Sequence, residues 1–152
     1  MQLHGIDVDV VRKGSGQSLL LLHGGGGPIT QMPFADRLAE RFEIIAPTHP
    51  GFAGTEIPEH FTRVDDLAFL YLDLLDELEL DDVILMGFSM GGWTALELAT
   101  ANATRLSRLI LVDPVGVKTG GREDRDIADV FALSGEKLAE LMFHDPSVAP
   151  NP

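Results

Sequence analysis

Ser89 lies between Gly87 and Gly91 in the stretch Asp82-Val83-Ile84-Leu85-Met86-Gly87-Phe88-Ser89-Met90-Gly91-Gly92. An apolar run with β-branched residues ends at the serine, and helix-forming residues follow at once. That is G-x-S-x-G at a strand-to-helix turn, a setting that lifts a serine hydroxyl out of a sheet as a nucleophile. So sharp a bend crowds its neighbours. Gly87 and Gly91 would relieve it, since glycine adopts unusual φ/ψ values at little steric cost. The chemistry such a serine serves is acyl transfer, in which the attacked carbonyl oxygen becomes negative and needs donors. A second glycine cluster, His23-Gly24-Gly25-Gly26-Gly27-Pro28, follows the apolar run Ser18–Leu22 and offers backbone amides for that task. The amides of Gly25 and Met90 are the candidate donors, with Gly24 and Gly26 as neighbours able to share the role. Two ordinary glycine turns are the bland alternative. A phosphate loop fits poorly, because the cluster lacks both G-x-G-x-x-G spacing and a Lys-Ser/Thr pair.

A hydroxyl nucleophile also needs a base within hydrogen-bond reach and an acid to orient that base. The chain has five histidines. His23 abuts the glycine loop and reads as part of its framework. His49 reads as a turn residue, with a place at a pocket mouth as the alternative, while His4 and His60 lie in polar, exposed surroundings. His144 precedes Asp145-Pro146 at a helix end, where a histidine interacts favourably with the dipole. Asp113, just past Arg108–Val112, reads either as the acid or as a turn organiser, since Asp before Pro favours an extended residue and a reversal.

The elements that must position these residues alternate along the chain. Ile6–Arg12 alternates at period two, as an antiparallel strand with one wet face would. Gly14-Ser15-Gly16 makes the turn. Leu19–Leu22 is apolar on both sides, as an inner parallel strand requires. A short helix is predicted over Gln31–Arg41 and a strand over Phe42–Pro47. Thr62 is the candidate N-cap of the next helix, with Asp65 and Asp66 near its positive end. There Val64, Leu67, Tyr71, Leu74, Leu75 and Leu78 recur at helical spacing and should face the sheet. Asp73, Asp76, Glu77 and Glu79 read as a solvated edge, not a metal site. The helix after Ser89 should run from Met90 to about Thr100, followed by a strand over Arg108–Asp113. Lys118–Asp126 is linker-like, and Ser134 should cap a last helix ending near Phe143.

The succession strand, HGGGGP, helix, strand, APTHPGFAGT, helix, strand, GFSMGG, helix, strand, VDPVG resembles the α/β-hydrolase superfamily from about Gly5 to Gly116. Within it, the HGGG-P loop and S-M-G-G turn look most like cap-bearing hydrolases, including the C–C bond hydrolases of meta-cleavage pathways. The resemblance implies an α/β fold with a mostly parallel sheet of about six strands and flanking helices. It also implies a partial core over 1–116 and the start of a helical cap over 117–152. A serine-type hydrolase of ester, amide or C–C bonds is the implied activity. Ser89 is its nucleophile, Gly25 and Met90 form the oxyanion hole, and Asp113 stands where some members carry their acid.

In the superfamily the order is Ser, then Asp or Glu, then His. His144 alone fits that order. The usual acid and histidine follow late strands that this chain does not reach, so the resemblance implies a truncated, inactive chain. The alternative is a non-catalytic, shortened relative acting in ligand binding or assembly. Family strand order would also leave Leu109–Val112 at an edge without lysine or proline, an exposed apolar edge prone to pairing. Three outcomes satisfy it: a fragment, completion by another chain, or an oligomer through the edge strand 108–113.

Composition agrees with one cytoplasmic globular domain. The chain has 152 residues, 45% of them hydrophobic, and no cysteine, which excludes disulfides and thiolate metal sites. A net charge of −13 argues against nucleic acid and anionic membranes as partners, and the hydrolase resemblance implies a small-molecule substrate. Neither a basic leader nor a membrane-length apolar run is evident. No metal or organic cofactor is implied. Phe34, Phe88 and Trp93 are candidate pocket-lining residues, with core packing as the alternative for each.

Overall fold

The computed structural model describes residues 1–148. The chain divides into two compact units, Met1–Val117 and Lys118–Pro152. The first unit is a three-layer α/β arrangement. Its sheet has five strands, where about six were expected: β3 (Val10–Gly14), β4 (Gln17–Leu22), β5 (Phe42–Pro47), β6 (Val83–Phe88) and β7 (Leu106–Val112). Their spatial order is β3-β5-β4-β6-β7. Only β3 runs antiparallel to its neighbour.

The expected first strand, Ile6–Arg12, is split. Residues Ile6–Asp7 (β2) pair with Gln2–Leu3 (β1) in a separate two-stranded sheet, and Val10 begins β3. The cause is Val8, whose side chain is 1% exposed and whose amide donates to the Met1 carbonyl. The chain therefore turns inward between the two pieces, although its alternation of residue types continues.

Apolarity on both sides of β4 has a direct structural cause. Leu20 and Leu22 pack with Leu74, Leu75 and Leu98 on one face, and Leu19 and Leu21 pack with Ala35 and Ile44 on the other. The first face is covered by α2 (Val64–Glu77) and α3 (Met90–Ala101), the second by α1 (Pro33–Ala39). Helix α1 starts later than the apolar pattern suggests because Pro33, which has no amide to satisfy, suits the first turn.

Helix α2 buries Leu67, Leu70, Tyr71, Leu74 and Leu75. Its N-cap is Arg63, not the expected Thr62. Asp66 reaches back from the third helical position to accept from the amides of Thr62 and Arg63, at 2.7 and 2.8 Å. Those two amides hold the Asp66 carboxyl below its ordinary range.

In the second unit, α4 (Gly135–Met142) is capped by Ser134, whose hydroxyl accepts from the Lys137 amide. The expected linker Lys118–Asp126 is cinched instead. Asp126 pairs with Lys118 at 2.7 Å and accepts from the Gly120 amide at 2.8 Å. Among the described residues no helix is long and apolar enough to cross a membrane.

Burial sets the energetic ranking of these contacts. Leu20→Ala, at a position 0% exposed, is expected to lower stability by about 2–5 kcal/mol. Phe69→Ala, at a position 56% exposed on helix α2, should stay within about 1 kcal/mol of the parent. Urea denaturation of both variants checks the contrast.

Candidate active site

Sheet order decides where a site can form. From β4 the chain goes outward to β5 and then crosses to β6 on the other side of β4. The carboxyl ends of β4 and β6 therefore flank a topological switch point, the crevice in which open α/β sheets bind ligands. Leu22 is in register with Gly87 across the two parallel strands, so the loop from His23 and the turn at Ser89 leave the sheet side by side.

Ser89 has φ 50° and ψ −114°, a positive φ that L-residues rarely adopt. Four backbone hydrogen bonds hold it there. Its amide donates to the Val112 carbonyl at 2.9 Å, and its own carbonyl accepts from Gly92, Trp93 and Val115 at 3.0, 3.1 and 3.2 Å. The serine is the residue before α3 yet makes no side-chain cap bond, and it is only partly buried. Among the described residues no hydrogen bond reaches its hydroxyl. This serine at a helix N-cap leaves its hydroxyl free and holds a backbone conformation costing about 1–3 kcal/mol.

The flanking glycines answer to space, not to backbone angle. Neither Gly87 nor Gly91 has a positive φ. A Cβ at Gly87 would meet the Gly91 carbonyl oxygen at 2.3 Å, and one at Gly91 would meet the Leu22 carbonyl oxygen at 2.4 Å. Helix α3 thus begins against the ends of its own strand and of β4, closer than any side chain allows. A Cβ at Gly24 would lie 3.0 Å from the Ser89 Cβ, so the first glycine loop packs directly on the serine. Nothing lies within 4 Å of a Cβ at Gly25 or Gly26. Met90 is the first residue of α3, where an amide has no acceptor within the helix.

Two histidines brace this loop from below. His23 and His49 are 2% and 0% exposed, with ring centroids 3.9 Å apart. His49 therefore belongs to the core and not to a pocket mouth, and its carbonyl accepts from the Phe52 amide at 3.1 Å to open the turn after β5. Hydrogen bonding fixes both tautomers. The His49 amide donates to His23 Nε2 at 2.9 Å, so His23 carries its proton on Nδ1 and donates it to the Gly24 carbonyl at 2.8 Å. His49 Nε2 donates to the His23 carbonyl at 2.8 Å, and the Tyr71 hydroxyl donates to His49 Nδ1.

Both rings are neutral with every nitrogen occupied, so neither can take a proton from Ser89. Burial lowers the His49 pKa to about 3, with the neighbouring His23 adding to the fall, and burial lowers His23 as well. Burial likewise pushes the Tyr71 phenol upward. Tyr71 was legible as core. Its hydroxyl contact to His49 was not, because it joins residues 22 apart in sequence.

The remaining histidines lie elsewhere. His4 and His60 border a surface hollow of about 630 Å³ with Asp7, Glu56 and Glu59, and Ser89 is not among its lining residues. His144 is exposed, past the end of α4 in the second unit. Asp113 is exposed with φ 45°, one residue beyond the Val112 carbonyl that holds Ser89.

Among the candidate pocket residues, Trp93 lines a cavity of about 520 Å³ beside Met90. Phe34 and Phe88 pack on each other at 5.5 Å. Among the described residues no group of three or more His, Cys, Asp or Glu could hold a metal ion.

A doubly wound sheet with a strained serine turn at its switch point defines a class of α/β fold. The family model for the alpha/beta hydrolase family matches residues 19–150, and the chain belongs to that family. It is 32% identical to 2-hydroxy-6-oxo-2,4-heptadienoate hydrolase of Pseudomonas putida, over 91% of this chain and 59% of the relative.

Among solved structures it resembles a meta-cleavage product hydrolase, at 26% identity and a TM-score of 0.68. That match covers 78% of this chain and 46% of the other. An esterase from Exiguobacterium antarcticum matches at 27% identity and a TM-score of 0.67, over 74% and 43% of the two chains. The chain spans between 34% and 59% of the length of the curated relatives it matches.

The buried histidines make stability depend on pH with a definite sign. His49 is neutral when folded down to about pH 3, whereas its unfolded pKa is 6.5. Its contribution is complete above pH 6.5 and is lost as pH falls, by about 1.4 kcal/mol per pH unit until the folded pKa is reached. Denaturation midpoints measured between about pH 7.5 and 4 should hold down to about pH 6.5 and fall steadily below it. In His49→Asn the slope should be shallower. Tyr71→Phe, which strips a buried acceptor of its donor, should cost about 1–3 kcal/mol.

Proposed function

We propose that this chain carries the nucleophile half of a serine hydrolase site acting on a small-molecule ester, amide or C–C bond. The free hydroxyl of Ser89, in a strained turn packed on the Gly24 loop at the switch point, is the observation that supports it. In this reading the Ser89 oxygen bonds to the substrate carbonyl carbon as a base takes its proton, and the negative oxygen accepts from the amides of Gly25 and Met90. The leaving group departs with a proton, and water then hydrolyses the acyl-serine. Asp113 is the carboxylate available to orient a base on this part of the sheet, and it serves equally to turn the chain before Pro114.

His23 and His49 are fully engaged. The base therefore comes from outside Met1–Val117 or from solution, and the chain by itself turns over little. Family likeness supports assigning the second unit to the start of a cap. Among the described residues strand β7 pairs only with β6, which supports association through its outer edge. The occupied histidines also favour a second reading, a non-catalytic relative that binds ligand without cleaving it.

Chemical rescue separates the two readings. The chain is incubated with p-nitrophenyl acetate and graded imidazole, which supplies the missing base, and acylation is located by peptide mass spectrometry. Acetyl-Ser89 should accumulate in proportion to imidazole and vanish in Ser89→Ala. Absence of Ser89 acylation at every imidazole concentration would favour the binding reading. Turnover at about 1 per second or faster without imidazole, in the ordinary enzymatic range, would refute the missing base.

A further inference from the structure

The turn after β7 grips Ser89 from both sides. The Val112 carbonyl accepts from the Ser89 amide at 2.9 Å, and the Val115 amide donates to the Ser89 carbonyl at 3.2 Å. That carbonyl also accepts from the amides of Gly92 and Trp93, so the loop and the start of α3 meet at one oxygen.

Contacts on either side of Val115 set the distance between loop and helix. A Cβ at Gly92 would lie 2.8 Å from the Pro114 Cβ. One at Gly116, where φ is +76°, would lie 2.4 to 2.7 Å from Cδ2, Cγ and Cε2 of the Trp93 indole. The Gly116 backbone therefore packs against the indole ring. Trp93 is not free to swing aside, because its N–H donates to Glu97 at 2.9 Å, one turn further along α3. Carbon atoms pack at about 3.5–4.0 Å, so a side chain at position 116 would lift the loop from the ring by about 1 Å. The bond from Val115, already 3.2 Å long, would then pass beyond hydrogen-bond range.

We infer that Gly116 is a positioning residue for Ser89, acting through the Trp93 ring. Only a residue without Cβ seats the loop close enough for Val115 to hold the serine carbonyl. A strained φ such as that of Ser89 persists only while its surroundings impose it, and this contact is one of the impositions. Its bearing on reactivity rests on the reading of Ser89 as the nucleophile. Displacing a reacting group by about 1 Å can slow a reaction about a hundredfold.

The test introduces Gly116→Asn into the parent and into Trp93→Ala. Asparagine tolerates a positive φ, so the comparison isolates the clash of its Cβ with the ring. Two quantities are followed: amide hydrogen exchange by NMR, and the rate of imidazole-assisted Ser89 acetylation per folded molecule. In Gly116→Asn the Ser89 and Val115 amides should exchange at least about tenfold faster relative to those of Leu20 and Leu85. Acetylation should slow by about tenfold or more. With Trp93→Ala already present, the same substitution should change each quantity by less than about threefold. A glycine that served only the general stability of the fold would give another result. All four amides would then speed up alike and folded chains would acetylate at the parent rate, which overturns the inference. Equal effects with and without Trp93 overturn it as well. If Gly116→Asn does not fold, the double variant must fold, and failure of both contradicts the role of the ring. Exchange needs no reactive serine. Where the parent is never acetylated, the hydrolase reading fails and exchange alone decides whether Gly116 positions Ser89.

Discussion

The close approach of three strand ends beneath one helix start is the constraint on which this structure depends. Helix α3 begins where Gly91 touches the end of β4 and Gly87 touches Gly91, distances that no Cβ could share. The serine between them must then turn through a positive φ, and the carbonyl of Val112 and the amide of Val115 hold it there. Strain is confined to one residue because its neighbours are too tightly packed to absorb it. The free hydroxyl and the adjacent glycine loop follow from that geometry.

Buried polar groups provide the second support. Two neutral histidines and a tyrosine hydroxyl link α2, the loop after β5 and the glycine loop into a network in which every donor meets an acceptor. Satisfied networks of this kind specify one arrangement of the segments they join. Here they set the Gly24 carbonyl, which also accepts from the Gly27 amide at 3.1 Å and shapes the loop over the serine. The histidines nearest the serine are therefore scaffolding.

Much of this was legible in the sequence because it depends on local pattern. The two-sided apolarity of Leu19–Leu22, the helical spacing from Val64 to Leu78 and the glycines around Ser89 each fix an element or a turn directly. What was illegible depends on contacts distant in sequence. Alternation from Ile6 to Arg12 conceals the inward turn at Val8, because a buried valine suits either path. Thr62 looks like a cap until Asp66 satisfies both preceding amides from the other side. His49 is legible as a turn residue, which it is, but its burial depends on Tyr71 and His23 closing around it from distant parts of the chain. The glycines at 87 and 91 were read correctly as necessary, but the need is contact distance, and only coordinates distinguish that from backbone angle.

Strain at Ser89 is the central claim, and its sign can be measured. Ser89→Gly and Ser89→Ala both remove the hydroxyl, and only alanine keeps the Cβ that makes a positive φ costly. The account predicts that the glycine variant is the more stable in urea, by about 1 kcal/mol. The reverse order, alanine the more stable by about 0.5–1 kcal/mol as at an ordinary helix or strand position, would contradict it.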